Sequence, residues 1–358
     1  MVRLILEAPG GSYPVIIGTG LQKELRATIG RLDPTSAVIV TDSNVKPWAA
    51  RVARAIRRAG LKSAIYVVPA GERSKSLERL GELLRFLERS KVDRGGCVIA
   101  VGGGTVGDLA GFAAAVWQRG IRFVGLPTTL LAMVDSSVGG KTGVNGGRSK
   151  NAIGAFWQPS AVISDLASLQ TLPPPEYRDA FAEVVKYAVA MDRGLYELLD
   201  REREKLAARD GAVLERVVFR CVTAKALVVA KDERDRGPRA ILNYGHTAGH
   251  ALEAATGFRV SHGRAVAFGM RVAARIALAM GLCSKTLVEQ QDSMLTAYGL
   301  PPRAPRVEAA KVLGAIALDK KARRGKVAWV MPRRLGRAEV GHAVPSAVVR
   351  RVVIKALS

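Results

Sequence analysis

The sequence predicts an α/β half built on a parallel sheet, followed by a mainly α-helical half. Three observations carry that expectation. Short β-branched runs alternate with amphipathic segments through about the first 165 residues. A glycine cluster, GGGTVGD (102–108), separates one such run from the amphipathic segment after it. Beyond about residue 165 the alternation stops, a proline cluster stands at Pro173–Pro175, and every later periodic segment has helical spacing.

Taken in order, SAVIVTD (36–42) and SAIYVVPAG (63–71) read as strands that end at polar or glycine positions. Between them, VKPWAARVARAIRRAG (45–60) has apolar residues at helical spacing and closes on Gly60. LERLGELLRFLERS (77–90) is a second amphipathic helix. GCVIAVGGG (96–104) is a third strand, DLAGFAAAVWQRG (108–120) the helix that follows, and IRFVGLPTT (121–129) a fourth strand. Strands joined through helices imply a parallel sheet covered on both faces, with ligands at the carboxyl ends of the strands. In the second half, TLPPPEYRDAFAEVVKYAVAM (171–191), VLERVVFRCVTAKALVVAKDERD (213–235), HTAGHALEAAT (246–256), AVAFGMRVAARIALAMG (265–281) and TLVEQQDSMLTAYG (286–299) read as helices. The expected division is therefore 1–170 and 171–358.

Composition narrows the class. The chain has 358 residues, 48% of them hydrophobic, enough to bury two cores. Cys97, Cys221 and Cys283 lie far apart without CxxC spacing, so neither a disulfide framework nor a thiolate zinc site is expected, and a reducing cytoplasm is. MVRLILEAPGG does not read as a signal peptide, and no apolar run approaches the roughly 20 residues of a membrane span. The net charge of +24 admits nucleic acid, an anionic surface or small multiply anionic ligands. Between Arg303 and the C-terminus, 14 Lys/Arg stand against 3 Asp/Glu. With only 5% aromatics and no basic–aromatic interleaving, nucleic acid is not the expected partner; solvated surface charge is the plainer account.

GGGTVGD satisfies G-x-G-x-x-G through Gly102, Gly104 and Gly107, where a backbone can approach a pyrophosphate at a helix N-terminus. The acidic residue that often stands about 20 positions later is replaced by Pro127-Thr128-Thr129, and Asp42 could hold a ribose instead. A second cluster, DSSVGGKTGVN (135–145), adds glycines, hydroxyls and Lys141, which also suit an anion. These features make the first half a nucleotide-binding candidate. In NYGHTAGHALE (243–253), His246 and His250 stand one turn apart on a helix, where they either share a metal or pack. H-E-x-x-H is absent. His262 heads another helix, His342 reads as a surface residue, and Glu183, in FAEVVKY, faces an apolar helix side at i−3 from Lys186. A buried carboxylate needs a partner, which that lysine or a metal supplies. Two histidines and one glutamate make a catalytic zinc set with an open position, and spacing leaves open which two histidines join. The second half is thus a metal-binding candidate.

Together, GGGTVGDLAGFAAA, RGIRFVGLPTTLLAMVDSSVGGKTGVN, KNAIGAFWQP, AEVVKY, LNYGHTAGHALE and HGRAVAFGM resemble the 3-dehydroquinate synthases, a family of sugar phosphate cyclases, in order across residues 102–270. The resemblance implies a nucleotide-binding α/β domain with a parallel sheet and a helical metal-binding domain. It implies a carbon–oxygen lyase acting on phosphate, which converts 3-deoxy-D-arabino-heptulosonate 7-phosphate to 3-dehydroquinate and phosphate in the shikimate route to aromatic amino acids. NAD would be regenerated each turnover, with zinc or cobalt(II) bound. Glu183, His246 and His262 match the metal ligands, and His250 a substrate- and phosphate-side residue, which overrides the pairing that spacing favoured. Asp42, Asn44, Glu72, Lys75, Gly103, Gly104, Asp108, Thr128, Thr129, Lys150, Thr171, Leu172 and Glu176 fall on NAD-contacting positions. Asp135, Lys141, Asn151, Lys186, Arg239 and Asn243 fall where the family holds the substrate's carboxylate, hydroxyls and phosphate, and Lys320, in LDKK, is a further match of this kind. Arg119 matches an arginine that reaches the neighbouring subunit's phosphate site, which implies a homodimer acting on a small anionic sugar phosphate.

Three competitors set the contrast. Related cyclases, the 2-deoxy-scyllo-inosose and valiolone types, depart around the GHTxGHA segment and the SVGGKTGVN loop, whereas Asn243, His250 and SVGGKTGVN stand here in the dehydroquinate form. A metal-dependent alcohol dehydrogenase accounts for the glycine loop and the metal set but not for DSSVGGKTGVN, and it would accumulate NADH. A non-catalytic binding module needs no open metal site.

Overall fold

The computed structural model describes residues 1–147, 149–302, 306–322 and 328–358, the last four residues of the third range by their backbone alone. The chain forms two compact units: Met1–Leu172 with Arg209–Arg234, and Pro173–Ala208 with Asp235–Ser358.

The first unit begins with the hairpin β1 (Val2–Ala8) and β2 (Gly11–Gly18), then α1 (Gln22–Leu32), β3 (Ala37–Asp42), α2 (Lys46–Arg57), β4 (Ser63–Val68), α3 (Leu77–Arg89), β5 (Cys97–Gly102), α4 (Gly104–Val116) and β6 (Arg122–Pro127). A short hairpin, β7 (Lys141–Val144) and β8 (Ile153–Phe156), precedes β9 (Ala161–Asp165). The seven-stranded sheet runs β1-β2-β9-β6-β5-β3-β4. Every pairing is parallel except β1 with β2. The period-2 alternation of the strands divides the core in two. Val38, Val40, Val98 and Ala100 face α3 and α4, packing on Leu83, Leu87, Leu109 and Ala113. Ala37, Ile39, Cys97, Ile99 and Val101 point the other way, onto Leu25 and Ile29 of α1 and Val52 and Ile56 of α2. The four strands expected from sequence are β3 to β6; the β1–β2 hairpin, β7–β8 and β9 add to them.

The second unit opens with α5 (Pro174–Ala190), α6 (Arg193–Arg201) and α7 (Arg203–Ala207). The chain then returns to the first unit for α8 (Gly211–Lys231), which packs on β1 and on the π-helical turn 132–136. This differs from the expected division at residue 170: the break falls after Leu172, and the segment 209–234 belongs with the sheet. The apolar face of α8 shows that it is buried, but its periodicity carries no information on which core it covers. The second unit continues with α9 (His246–Ala255), α10 (His262–Ala279), α11 (Lys285–Ala297), α12 (Ala309–Ala322), the hairpin β10 (Trp329–Arg334) and β11 (Arg337–His342), and α13 (Ser346–Leu357).

Helix α5 runs through the middle of this unit, with every residue from Ala180 to Ala190 buried. Glycines let its neighbours come close. A Cβ on Gly269 of α10 would lie 1.7 Å from the Gly245 carbonyl oxygen, and one on Gly263 would lie 1.9 Å from that of Asp179 on α5. No side chain fits at either crossing, so backbone meets backbone. That contact brings the starts of α9 and α10 to the same stretch of α5.

Candidate active site

In the second unit, three helices each deliver one donor. Glu183 comes from α5, His246 from the first position of α9 and His262 from the first position of α10. Their ligand atoms all lie within 4.8 Å of one another. His246 Nε2 is 3.4 Å and His262 Nε2 3.3 Å from the same Glu183 oxygen, Oε1. The other Glu183 oxygen pairs with Lys186, and both side chains are buried. The carboxylate on an apolar helix face therefore has the lysine partner on one oxygen, while the other faces two imidazole nitrogens, with which it could share a metal.

The starts of these helices are fixed locally. Asp179, one turn before Glu183, accepts the Gly263 amide (2.8 Å), the Arg264 amide (3.1 Å) and the Ser261 hydroxyl (2.5 Å). A carboxylate of α5 thus caps α10 and sets His262 beside Glu183. His246 Nδ1 stands 3.2 Å from the Tyr244 carbonyl, which selects the tautomer with Nδ1 protonated and leaves Nε2 for a ligand. Burial pushes the His246 imidazole down to about 3, outweighing the Glu183 charge. Burial also opposes charge on His262, but its hydrogen bond to Glu183 and the negative charges of Glu183 and Glu253 prevail and raise it to about 10.

His250 is exposed, its ring centroid 5.1 Å from that of His246. Among the described residues no donor cluster contains both, so the ligand pair that i, i+4 spacing allowed is not formed. His250 instead stands near Glu253 and His262. Lys186 and Arg239 are both buried, and Asn243 ends the 3₁₀ turn that leads into α9. Glu176 is exposed in the first turn of α5. His342, expected on the surface, is half-buried, its Nε2 3.5 Å from Glu339. Lys320 lies in α12, and its side chain is outside the described residues.

The first unit gathers a second group at the carboxyl ends of its strands. Asp42 ends β3 and accepts the Asn44 amide (2.8 Å). Gly103 and Gly104 begin α4, which has no side-chain cap. A cavity there is lined by Gly103, Gly104, Gly107, Asp108, Ser136 and Lys141, among others. A Cβ on Gly107 would meet nothing within 4 Å. The buried hydroxyls of Thr128, Ser136 and Ser137 have no hydrogen-bond partner among the described residues. Open backbone and orphaned hydroxyls suit a polar anionic ligand such as a pyrophosphate. Lys75 is buried and pairs with Asp108, whose carboxyl burial pushes up despite that lysine. Glu72 accepts the Asn145 side-chain amide (2.8 Å) and the Thr105 hydroxyl (3.3 Å). Asn145 also donates its backbone amide to Lys75 (2.9 Å) and accepts that of Asn151 (2.9 Å).

The remaining positions of this unit are more open. Lys150 and Asn151 are exposed, Thr129 follows β6, and Thr171 is exposed while Leu172 is buried. Arg119 is exposed in the turn 117–119 with φ 65°. Asp135 lies in the π-helical turn, and Lys225 of α8 reaches it, 2.6 Å from Oδ1 and 2.8 Å from its carbonyl oxygen. Lys225 is a site neighbour that motif reading misses. A lysine within VTAKALVV, on an apolar helix face, carries the same signal as Glu183.

Residues 65–179 match the family profile described as 3-dehydroquinate synthase N-terminal, and residues 180–322 that described as 3-dehydroquinate synthase C-terminal. A 3-dehydroquinate synthase of Gloeobacter violaceus is 42% identical over 357 residues, 99% of each chain. Among solved structures, a 2-deoxy-scyllo-inosose synthase complexed with carbaglucose-6-phosphate, NAD+ and Co2+ superposes with a TM-score of 0.91 at 24% identity, covering 99% of this chain and 100% of that one; this shows the fold. The 2-epi-5-epi-valiolone synthase of Streptomyces hygroscopicus subsp. jinggangensis, with NAD+ and Zn2+ bound, gives 0.88 at 26% identity and covers 99% of both.

Proposed function

The chain belongs to the 3-dehydroquinate synthase family, and from that premise we propose that it converts 3-deoxy-D-arabino-heptulosonate 7-phosphate to 3-dehydroquinate and phosphate. The observation that carries the reading is the convergence of Glu183, His246 and His262 on one point from three helices. One carboxylate and two imidazole nitrogens suit zinc, and cobalt(II) takes the same donors. When bound, NAD supplies a transient hydride acceptor, and the metal a Lewis acid for a substrate hydroxyl and the carbonyl formed from it.

The chain's own groups account for the rest. Gly103 and Gly104 would admit the cofactor's pyrophosphate, and Asp42, Asn44, Glu72, Lys75, Asp108, Thr128, Thr129, Lys150, Thr171, Leu172 and Glu176 would contact the remainder of NAD. Lys141 and Arg239, with Lys320 and a neighbouring subunit's Arg119, hold the phosphate where it can take up the proton lost in its own elimination. Asp135, Asn151 and Lys186 orient hydroxyls and carboxylate. Asn243, at the end of the 3₁₀ turn before α9, and His250, exposed on α9, hold or pass protons during ring opening and aldol closure. Lys225 holds the Asp135 carboxylate in place. The active form is a homodimer in the cytoplasm; sedimentation of wild type against Arg119→Ala tests the dimer, and mixing inactive Arg119→Ala with an inactive His250→Ala chain should restore activity if Arg119 acts across subunits.

Phosphate release from the heptulosonate phosphate, with catalytic NAD and with or without a chelator, tests the whole reading. Release without net NADH, abolished by chelation and restored by zinc, is the expected result. Steady NADH accumulation would move the chain to the dehydrogenases, and no release under any metal would move it to cyclases of other sugar phosphates.

A further inference from the structure

The two imidazoles of the donor cluster are held from behind in different ways. Each presents Nε2 to Glu183 Oε1. Behind His246, Nδ1 meets a neutral backbone carbonyl, that of Tyr244. Behind His262, Nδ1 faces a carboxylate: Glu253 Oε2, at 3.7 Å. Glu253 lies on the last full turn of α9, seven residues after His246, and is 3% exposed. The same oxygen is 4.0 Å from His250 Nε2, so this buried carboxylate sits between two imidazoles.

From this geometry we infer that Glu253 is a positioning residue for the metal. It takes the Nδ1–H of His262, fixes the ring with Nε2 toward the ligand position, and makes that nitrogen a stronger donor. A carboxylate behind a ligating histidine orients the ring and raises its basicity, and losing one weakens metal binding by about 10–100-fold. Glu183 supplies one negative charge to the centre; Glu253 supplies a second at one remove, through an imidazole. The same α9 thus contributes a ligand at its first position and the support for the α10 ligand near its last. The inference rests on the proposed metal set of Glu183, His246 and His262.

The test is zinc affinity by competition with a chromophoric chelator, on wild type, Glu253→Gln, Glu253→Asp and His246→Ala, with metal-free melting temperatures alongside. Glu253→Gln keeps the shape and loses the charge, so its zinc affinity should fall about 10–100-fold while the metal-free melting temperature stays near wild type. Glu253→Asp keeps the charge on a shorter arm and should fall between. Visible spectra of the cobalt-loaded proteins should show changed band intensity in Glu253→Gln, since the ring is no longer held in one orientation. Wild-type zinc affinity and an unchanged cobalt spectrum in Glu253→Gln would overturn the inference. So would lost turnover with intact zinc affinity, which would assign Glu253 to His250 instead. If Glu253→Gln does not fold, Glu253→Asp decides by the same two readouts. If His246→Ala binds zinc as wild type does, the metal set itself has failed, which is a separate outcome.

Discussion

Two helix starts, that of α4 at Gly103–Gly104 and that of α10 at Ser261–His262, hold their surroundings by opposite means. The amide end of α4 has no side-chain cap and looks onto a cavity with orphaned hydroxyls. The amide end of α10 is filled by the Asp179 carboxylate from another helix. A helix start attracts negative charge in both cases. Left open, it is a place for a ligand's anion; filled from within, it becomes a joint that locates the first side chain of the helix. Here that side chain is His262.

The largest effect that would break this contrast is expected at Glu183. Glu183→Gln removes one member of a buried ion pair and leaves Lys186 buried without its counter-charge, costing about 3–5 kcal/mol. Urea unfolding of the metal-free variant against wild type measures it, and a loss below about 1 kcal/mol would mean the pair is not closed in solution. Next is the pH dependence of metal uptake. The folded, metal-free pKa of His262 is raised to about 10, above the ordinary value of 6.5. Its protonated form therefore contributes stability that is complete below 6.5 and is lost as pH rises toward about 10. Zinc needs the neutral ring, so apparent zinc affinity should rise with pH across this window, by up to about tenfold per unit. Competition titrations at several pH values check the slope, and a flat profile would contradict the assignment of His262 as a ligand.

Two smaller effects sharpen the comparison. Asp179→Ala removes the cap on α10 and should cost about 1–2 kcal/mol, with weaker zinc binding and unchanged NAD affinity. Paired calorimetric titrations with zinc and with NAD separate the two. Gly107→Ala should do the reverse. Alanine favours the helix by up to about 1 kcal/mol, so the protein should melt no lower. Its methyl projects into the open side of the glycine loop, where NAD should bind about tenfold more weakly, a steric loss of order 1.4 kcal/mol. A fluorescence titration with NADH reads that directly.

Much of this was legible in the residues, for identifiable reasons. Strands β3 to β6 and their helices show in the change between a period of two and a helical period. The glycines of the α4 start show because a close backbone approach tolerates nothing larger. His246 and His250 illustrate the limit: their spacing correctly places them on one helix, but which histidine faces Glu183 depends on where α10 crosses, and that is set by Gly263 and Gly269 far along the chain. Asp179, Lys225 and Glu253 went unread because each works across elements, a relation that helical periodicity does not encode. VRLILEA followed by PGG, by contrast, carries both the alternation and the turn of the β1–β2 hairpin within one local stretch.

The path of the chain has a consequence for how the protein is made. It crosses between the two units at Leu172–Pro173, again at Ala208–Arg209, and again at Arg234–Asp235. A ribosome therefore releases the whole sheet and then α5 to α7 before it releases α8, the helix that closes the β1 flank. The first unit is completed only after the opening helices of the second have already emerged, which departs from the usual order of one whole domain at a time. Until α8 emerges, the apolar surface it will cover stays open to water and to chaperones, while α5 waits for partners not yet synthesised. Assembly of the two cores is interleaved, and a nascent chain arrested between residues 172 and 209 should be a strong chaperone client.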